Sequence, residues 1–134
     1  MSKSKIINTS GTRKRAIARA TLKAGNGLVR FNYKNLNVVE PELARLKLKE
    51  PLVIVGDLAD QITVDIKVTG GGQMAQVDAA RVALSRALAE FGGETVKQTL
   101  LNYDRNFLVP DTRRKEACKP NDSKARSKRQ KSYR

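Results

Sequence analysis

The sequence predicts an α+β fold: a two-layer α/β sandwich with a small four-stranded or similar sheet, helices on one face, and an extended C-terminal tail. Three observations predict it. Residues 16–24 and 61–69 alternate apolar and polar side chains, the period-two pattern of strands covered on one face. Residues 73–91 instead space Met74, Val77, Leu84, Leu88 and Phe91 along one side of a helix. The last 23 residues hold ten Lys or Arg, two acids and no Val, Ile, Leu, Met, Phe or Trp. Such a segment cannot bury enough apolar surface to offset the entropy of ordering itself, so alone in water it is expected to be a disordered arm.

In chain order, Gly11-Thr12-Arg13-Lys14-Arg15 forms a basic approach to the first strand. In residues 16–24, Ala16, Ala18, Ala20, Leu22 and Ala24 share one face, while Ile17, Arg19, Thr21 and Lys23 share the other. Gly25-Asn26-Gly27 supplies the positive φ of a tight turn. Alternation then resumes over 28–33 with Val29, Phe31 and Tyr33 together, so the two runs are expected to pair as a β-hairpin. Pro41 suits the first position of a helix, with Leu43, Leu46 and the stem of Lys47 inward. Pro51 interrupts that helix or starts a second one, and 52–60 reads as a short helix. In 61–69, Ile62, Val64, Ile66 and Val68 face the core. Gly70-Gly71-Gly72 leads into the helix of 73–91, which Gly92-Gly93 ends. A further helix over 94–103 turns Val96, Leu100 and Tyr103 inward, and 107–110 is an extended exit. The body therefore spans 1–104 and the tail 105–134.

Charge is placed unevenly. Residues 1–24 carry seven basic side chains and no acid; 25–103 carry nine of each; 104–134 carry eleven basic and four acidic, giving +14 for the chain. A neutral body with two cationic ends fits a protein that meets nucleic acid through its extensions. The N-terminus lacks the apolar stretch of a signal peptide, and no apolar run is long enough to span a bilayer. The expectation is a cytoplasmic protein with no membrane partner. With no His and the single Cys118, one chain can form neither a disulfide nor a Cys/His zinc site, and it has no histidine for catalysis. No cofactor or metal is expected.

The candidate binding residues follow from this distribution. Arg13, Lys14, Arg15 and Arg19 form a cluster, and Arg13, Arg15 and Arg19 share one side if the strand begins there. Gly70, Gly71 and Gly72, between a strand and a helix N-terminus, suit close approach of a phosphate, although no Gly-Lys-Ser/Thr follows as in a P-loop. A flexible connection is the plainer reading of the glycines. Arg86 is expected on the exposed face of the long helix, and Arg81 nearer its apolar stripe. In the tail, the forks of Arg113, Arg114, Arg126, Arg129 and Arg134 match phosphate bidentately, with Lys115, Lys119, Lys124, Lys128 and Lys131 beside them. Tyr133 has no core to join there and can stack on a base. Asp57 and Asp60 have no third ligand at a convincing spacing. A phosphate-using enzyme built on the glycines and a free DNA-binding protein are the competing readings. The first lacks an identifiable base, and the second lacks a helix with base-reading side chains.

The run from Gly70-Gly71-Gly72-Gln73-Met74-Ala75 through Arg81-Val82-Ala83-Leu84-Ser85-Arg86-Ala87-Leu88 resembles the signature of the universal ninth protein of the small ribosomal subunit. Gly11 to Ala20 resembles that family's N-terminal strand. Asp111, Arg113, Arg114, Glu116 and Lys119 resemble the start of its tail, and Gln130-Lys131-Ser132-Tyr133-Arg134 resembles its archaeal and eukaryotic ending. Bacterial members finish in Ser-Lys-Arg, so only Arg134 matches that ending in kind. Pro120-Asn121-Asp122 stands where the family usually has a glycine-containing segment. The resemblance implies a left-handed βαβ crossover like that of the second domain of the fifth small-subunit protein. It implies a body bound to small-subunit ribosomal RNA in the head, beside neighbouring head proteins, with no small-molecule substrate. It also implies a tail reaching the P-site transfer RNA anticodon stem-loop through Lys131, Tyr133 and Arg134; 23 extended residues span at most roughly 75–80 Å.

Overall fold

The computed structural model of the chain describes residues 5–133. Five strands and two helices follow one another as β1 (Ile7–Arg13), β2 (Ala16–Ala24), β3 (Leu28–Phe31), β4 (Lys34–Asn35), α1 (Glu42–Val55), β5 (Ile62–Thr69) and α2 (Gln73–Tyr103). Short 3-10 turns at Leu36–Val38, Gly56–Gln61 and Arg105–Phe107 connect or close them. The fold is the expected α+β sandwich with a small sheet, here of five strands.

The sheet order is β1-β2-β5-β3-β4. β1 and β2 form an antiparallel hairpin closed at Arg13 and Ala16, with Lys14 at φ 53 in the turn. The hairpin expected between 16–24 and 28–33 does not form. β5 lies between those runs, antiparallel to β2 and parallel to β3. Alternation specifies which face a strand buries, not which neighbour it takes, and the all-apolar face of β5 belongs at the centre of the sheet. β3 instead pairs with β4 through Asn32-Tyr33, and its parallel partner is reached by a crossover containing α1. One face of the sheet is covered: Ala16, Ala18, Ala20 and Leu22 of β2 and Ile62, Val64, Ile66 and Val68 of β5 are buried. The other face carries Arg19, Lys23 and Lys67, all exposed.

The core lies between that covered face and α2, whose Val77, Ala79, Ala80, Ala83, Leu84, Ala87 and Leu88 are buried. Small side chains on both sides let the helix come close. At Gly11 a Cβ would strike the Ala79 carbonyl and lie 2.6 Å from the Ala83 nitrogen, and beside it the Thr9 hydroxyl donates to the Ala83 carbonyl at 2.7 Å. Gly93 (φ 76, ψ −163) breaks the helical run as expected. α1 is placed differently from its sequence reading. It continues through Pro51 to Val55, burying Ala44, Leu48 and Pro51, while Leu43 and Leu46 are more than half exposed. The helix turns its narrower, alanine-containing stripe to α2, because the space there is already set by small residues. Tyr103 is also exposed rather than inward, and Phe107, expected in an extended exit, is fully buried, with the Arg81 guanidinium 4.1 Å from its ring centre.

Gly11→Ala is expected to destabilise the fold by about 1–3 kcal/mol, because both obstructing groups are helix backbone that cannot rotate away. A urea titration against the parent chain measures this, and an unchanged midpoint would refute the close approach.

Candidate nucleic-acid interface

The site is assembled where three separate stretches meet. The β1–β2 turn presents Arg13, Lys14 and Arg15. The glycine loop lies against its backbone: a Cβ on Gly70 (φ 75) would sit 2.6 Å from the Arg15 carbonyl, and one on Gly71 (φ 66) 2.9 Å from the Ala16 nitrogen. These two glycines are therefore needed for packing against the turn. Gly72 has open space around it and begins α2 without any side-chain cap or acidic residue in the first turn. The first N–H groups of the helix and its positive dipole end are thus left available to an anion.

The third stretch is the root of the tail. Asp111 accepts from the Arg113 side chain, at 2.7 Å from Nη2 and 2.9 Å from Nε, and from the Arg113 backbone N–H at 2.9 Å. It also faces Arg13 Nη2 at 3.5 Å. Arg13 Nη1 donates to the Arg113 carbonyl at 3.1 Å, and Arg114 donates to the Lys14 carbonyl. The Arg113 side chain and then its backbone N–H hold the Asp111 carboxyl far below the usual carboxylate range, and Asp111 raises Arg113 in return. A depressed carboxyl stabilises the fold above its unfolded pKa, and that contribution is lost as pH falls through the folded value. The pin therefore holds throughout the neutral range, screened by salt at its exposed Arg113 side.

Turn, loop and root enclose a cleft of about 1080 Å³ lined by Arg13, Lys14, Arg15, Gly71, Gly72, Arg113, Arg114 and Lys115. Its lining has six basic side chains and no acid. A concavity of one charge sign focuses the field and raises the local concentration of anions.

The other expected binding residues are placed as follows. The row of Arg13, Arg15 and Arg19 does not exist: Arg13 pairs with Ala16 on the helix side of the sheet, whereas Arg19 is opposite Ser10 on the open face. The strand that contains Arg13 ends there, and the turn reverses the parity. Arg86 is not a free surface cation. Its Nε donates to the Leu108 carbonyl at 2.9 Å and its Nη1 to the Ser10 carbonyl at 2.8 Å, which ties the chain after α2 to β1. Arg81 is likewise occupied, pairing with Glu50 at 2.8 Å and Asp104 at 3.4 Å. Lys119, Lys124, Arg126, Lys128, Arg129, Lys131 and Tyr133 are exposed along a tail without helix or strand. A turn bonds Asp122 N–H to the Lys119 carbonyl at 3.3 Å, while Arg126 and Arg129 pair locally with Glu116 and Asp122. Arg134 lies outside the described residues. Sequence reasoning gave Asp111 no role; an acid two positions before Arg113-Arg114, at the base of a basic segment, was the available signal.

Among the described residues no His/Cys/Asp/Glu cluster suits a metal ion, and no helix is long and apolar enough to cross a membrane. Fold and cleft together define a class: a small α+β protein whose charged concavity suits a polyanion. Residues 11–134 match the family described as Ribosomal protein S9/S16, and the chain belongs to that family. It is 48% identical over 133 residues to the "Small ribosomal subunit protein uS9" of Methanococcus maripaludis strain C5, covering 97% of this chain and 99% of the relative. The proteins of the same name in strains C7 and S2 match to the same extent.

Asp111→Asn separates a pin from a mere charge. It makes the chain more cationic, so charge count alone predicts tighter binding to RNA. Loss of the pin frees the tail root, and we expect binding about threefold to tenfold weaker, measured by filter binding at fixed salt.

Proposed function

We propose that the chain is a structural constituent of the small ribosomal subunit, that it binds small-subunit ribosomal RNA, and that its tail reaches the P-site transfer RNA. The observation that carries this reading is the cleft, in which three segments distant in sequence place six cations and an uncapped helix N-terminus around one cavity. Phosphate oxygens of an RNA backbone satisfy such a lining: they accept bidentately from the Arg forks and accept further hydrogen bonds from the helix N–H groups. Arg13 both supports the tail root and borders the cleft, Lys14, Arg15, Arg114 and Lys115 supply exposed charge, and Gly72 admits close backbone approach. Arg19 contributes from the open sheet face. Arg86 acts through position, by holding the tail's start. Lys119, Lys124, Arg126, Lys128 and Arg129 extend the contact along the tail, where RNA phosphates replace the local acids as partners.

The division of labour follows from chain order. The packed body anchors, the cationic tail threads, and its tip, with Lys131, Tyr133 and Arg134, meets the anticodon stem-loop by charge and ring stacking. The curated relatives bear the name of a small-subunit ribosomal protein, which supports assembly in that subunit; placement in the head beside other head proteins, in the cytoplasm, is part of the same proposal and rests on the family resemblance. The enzyme alternative has nothing to stand on: Gly70 and Gly71 are occupied by the turn, and the chain is a structural protein rather than a catalyst.

Three outcomes test the reading. In a sucrose gradient of cell extract the protein is expected to sediment with small subunits. Its affinity for purified small-subunit ribosomal RNA is expected to fall about a thousandfold or more between roughly 50 and 200 mM salt; a flat response would refute an electrostatic interface. Deleting residues 131–134 is expected to leave incorporation intact while weakening transfer RNA at the P site, and a block in incorporation would overturn the division between anchor and tip.

A further inference from the structure

On the sheet face that no helix covers, three independent observations converge on Tyr33. The first is conformational. Asn32 (φ 47) and Tyr33 (φ 68) are both left-handed, forming the two-residue turn between β3 and β4, a position that ordinarily takes Asn-Gly. A bulky ring at positive φ is an outlier, and Tyr33 gains no burial for it, since 79% of its surface is exposed. The turn is held from β5: Asn32 N–H donates to the Ile66 carbonyl at 2.8 Å, and Val68 N–H donates to Asn32 Oδ1 at 2.9 Å.

The second is electrostatic. Lys67 Nζ lies 5.2 Å from the Tyr33 ring centre, and Lys67 is directly opposite Arg19 across the β2–β5 pair. Like charges facing each other across strands are destabilising. Among the described residues no carboxylate pairs with either. The nearby Asp65 is committed to Arg30, with Nε at 2.6 Å and Nη2 at 3.0 Å. The third is shape: Arg30, Tyr33, Asp65, Ile66 and Lys67 line a pocket of about 210 Å³.

We propose that this pocket binds one unstacked nucleotide of RNA, with the base on the Tyr33 ring and its phosphate between Lys67 and Arg19. The inference rests on the RNA-binding reading above but uses a different face and none of the cleft residues. A tyrosine ring stacks on any base and is sequence-tolerant. An anion between Lys67 and Arg19 removes their repulsion, which a neutral protein surface would not. A strained residue with no role in packing is the kind of outlier that a functional contact explains.

Stability and binding are expected to move in opposite directions, which a merely structural role for Tyr33 would not produce. Tyr33→Gly relieves the positive φ, so Tm should rise by a few degrees, while affinity for purified small-subunit ribosomal RNA should fall about tenfold. Tyr33→Phe should bind as the parent does, and Lys67→Gln should reduce the slope of log affinity against log salt by about one. Parental binding by both Tyr33→Gly and Lys67→Gln would overturn the proposal. If those two bind normally while Arg114→Gln is impaired, only this site fails; if the parent chain itself does not bind the RNA, the function proposed above fails. In isolated small subunits, Lys67 should resist acylation until ribonuclease is added. Free reactivity before digestion, or protection that persists after it as a protein partner would give, refutes the pocket as an RNA site.

Discussion

The structure depends on the close approach of α2 to the first two strands. Gly11 and the alanines of β2 face Ala79, Ala80, Ala83 and Ala87, so the contact is made by backbone and methyl groups with little side-chain bulk between. Dispersion rises steeply as such surfaces close, and a gap of even half an ångström forfeits much of it. That contact fixes where α2 begins relative to the β1–β2 turn. With the helix start beside Ala16, Gly70 and Gly71 have only the space of a hydrogen atom, and the turn cations are brought next to an uncapped helix end.

The far end of the same helix brings the tail back. Asp104 accepts from Arg81, Phe107 fills the space beneath the Arg81 guanidinium, and Arg86 holds the Leu108 carbonyl against β1. Three residues further on, Asp111 meets Arg13. Two arginines of a strongly basic chain are thus spent inside the protein, where each is held by acids, carbonyls or a ring. Net charge therefore overstates what is offered to a partner. The charge that is offered is concentrated, because the chain crosses its own N-terminal hairpin just before its most basic segment begins.

Much of the fold was legible from pattern. Residues 16–24, 62–69 and 73–91 carry periods of 2 or 3.6 over enough residues to identify both element and buried face, and Gly93 marks the break. β1 was missed because Ile7–Arg13 reads INTSGTR, a strand whose inward positions are Ile7, Thr9 and Gly11. Its alternation is hidden where the helix requires a small or hydrogen-bonding residue. Leu43 and Leu46 are apolar yet exposed, because the apolar side of α1 is wider than the surface available to it, so hydrophobicity alone does not specify burial there. Of the candidate site, the cationic turn, the glycine loop and the basic tail were each visible, but as three separate features.

Composition and periodicity alone determined that this chain is charge-balanced over 25–103 and cationic at both ends, that a sheet is covered on one side by an alanine-rich helix, and that neither histidine chemistry nor a Cys/His zinc site is available; that the cationic N-terminal stretch folds into the body as β1 and β2, and is not an extension like the tail, only the structure showed. These are properties of local sequence, since charge is additive and face preference is set residue by residue. Which strands are neighbours, which cations are free and which are held, and where the tail leaves the body were decided by tertiary structure. Insertion of β5 between β2 and β3, the inward turn of Arg13, and the pairing of Asp111 with a residue 98 positions earlier are long-range choices. They minimise unfilled space and unpaired charge over the whole molecule, and no window of sequence contains both partners.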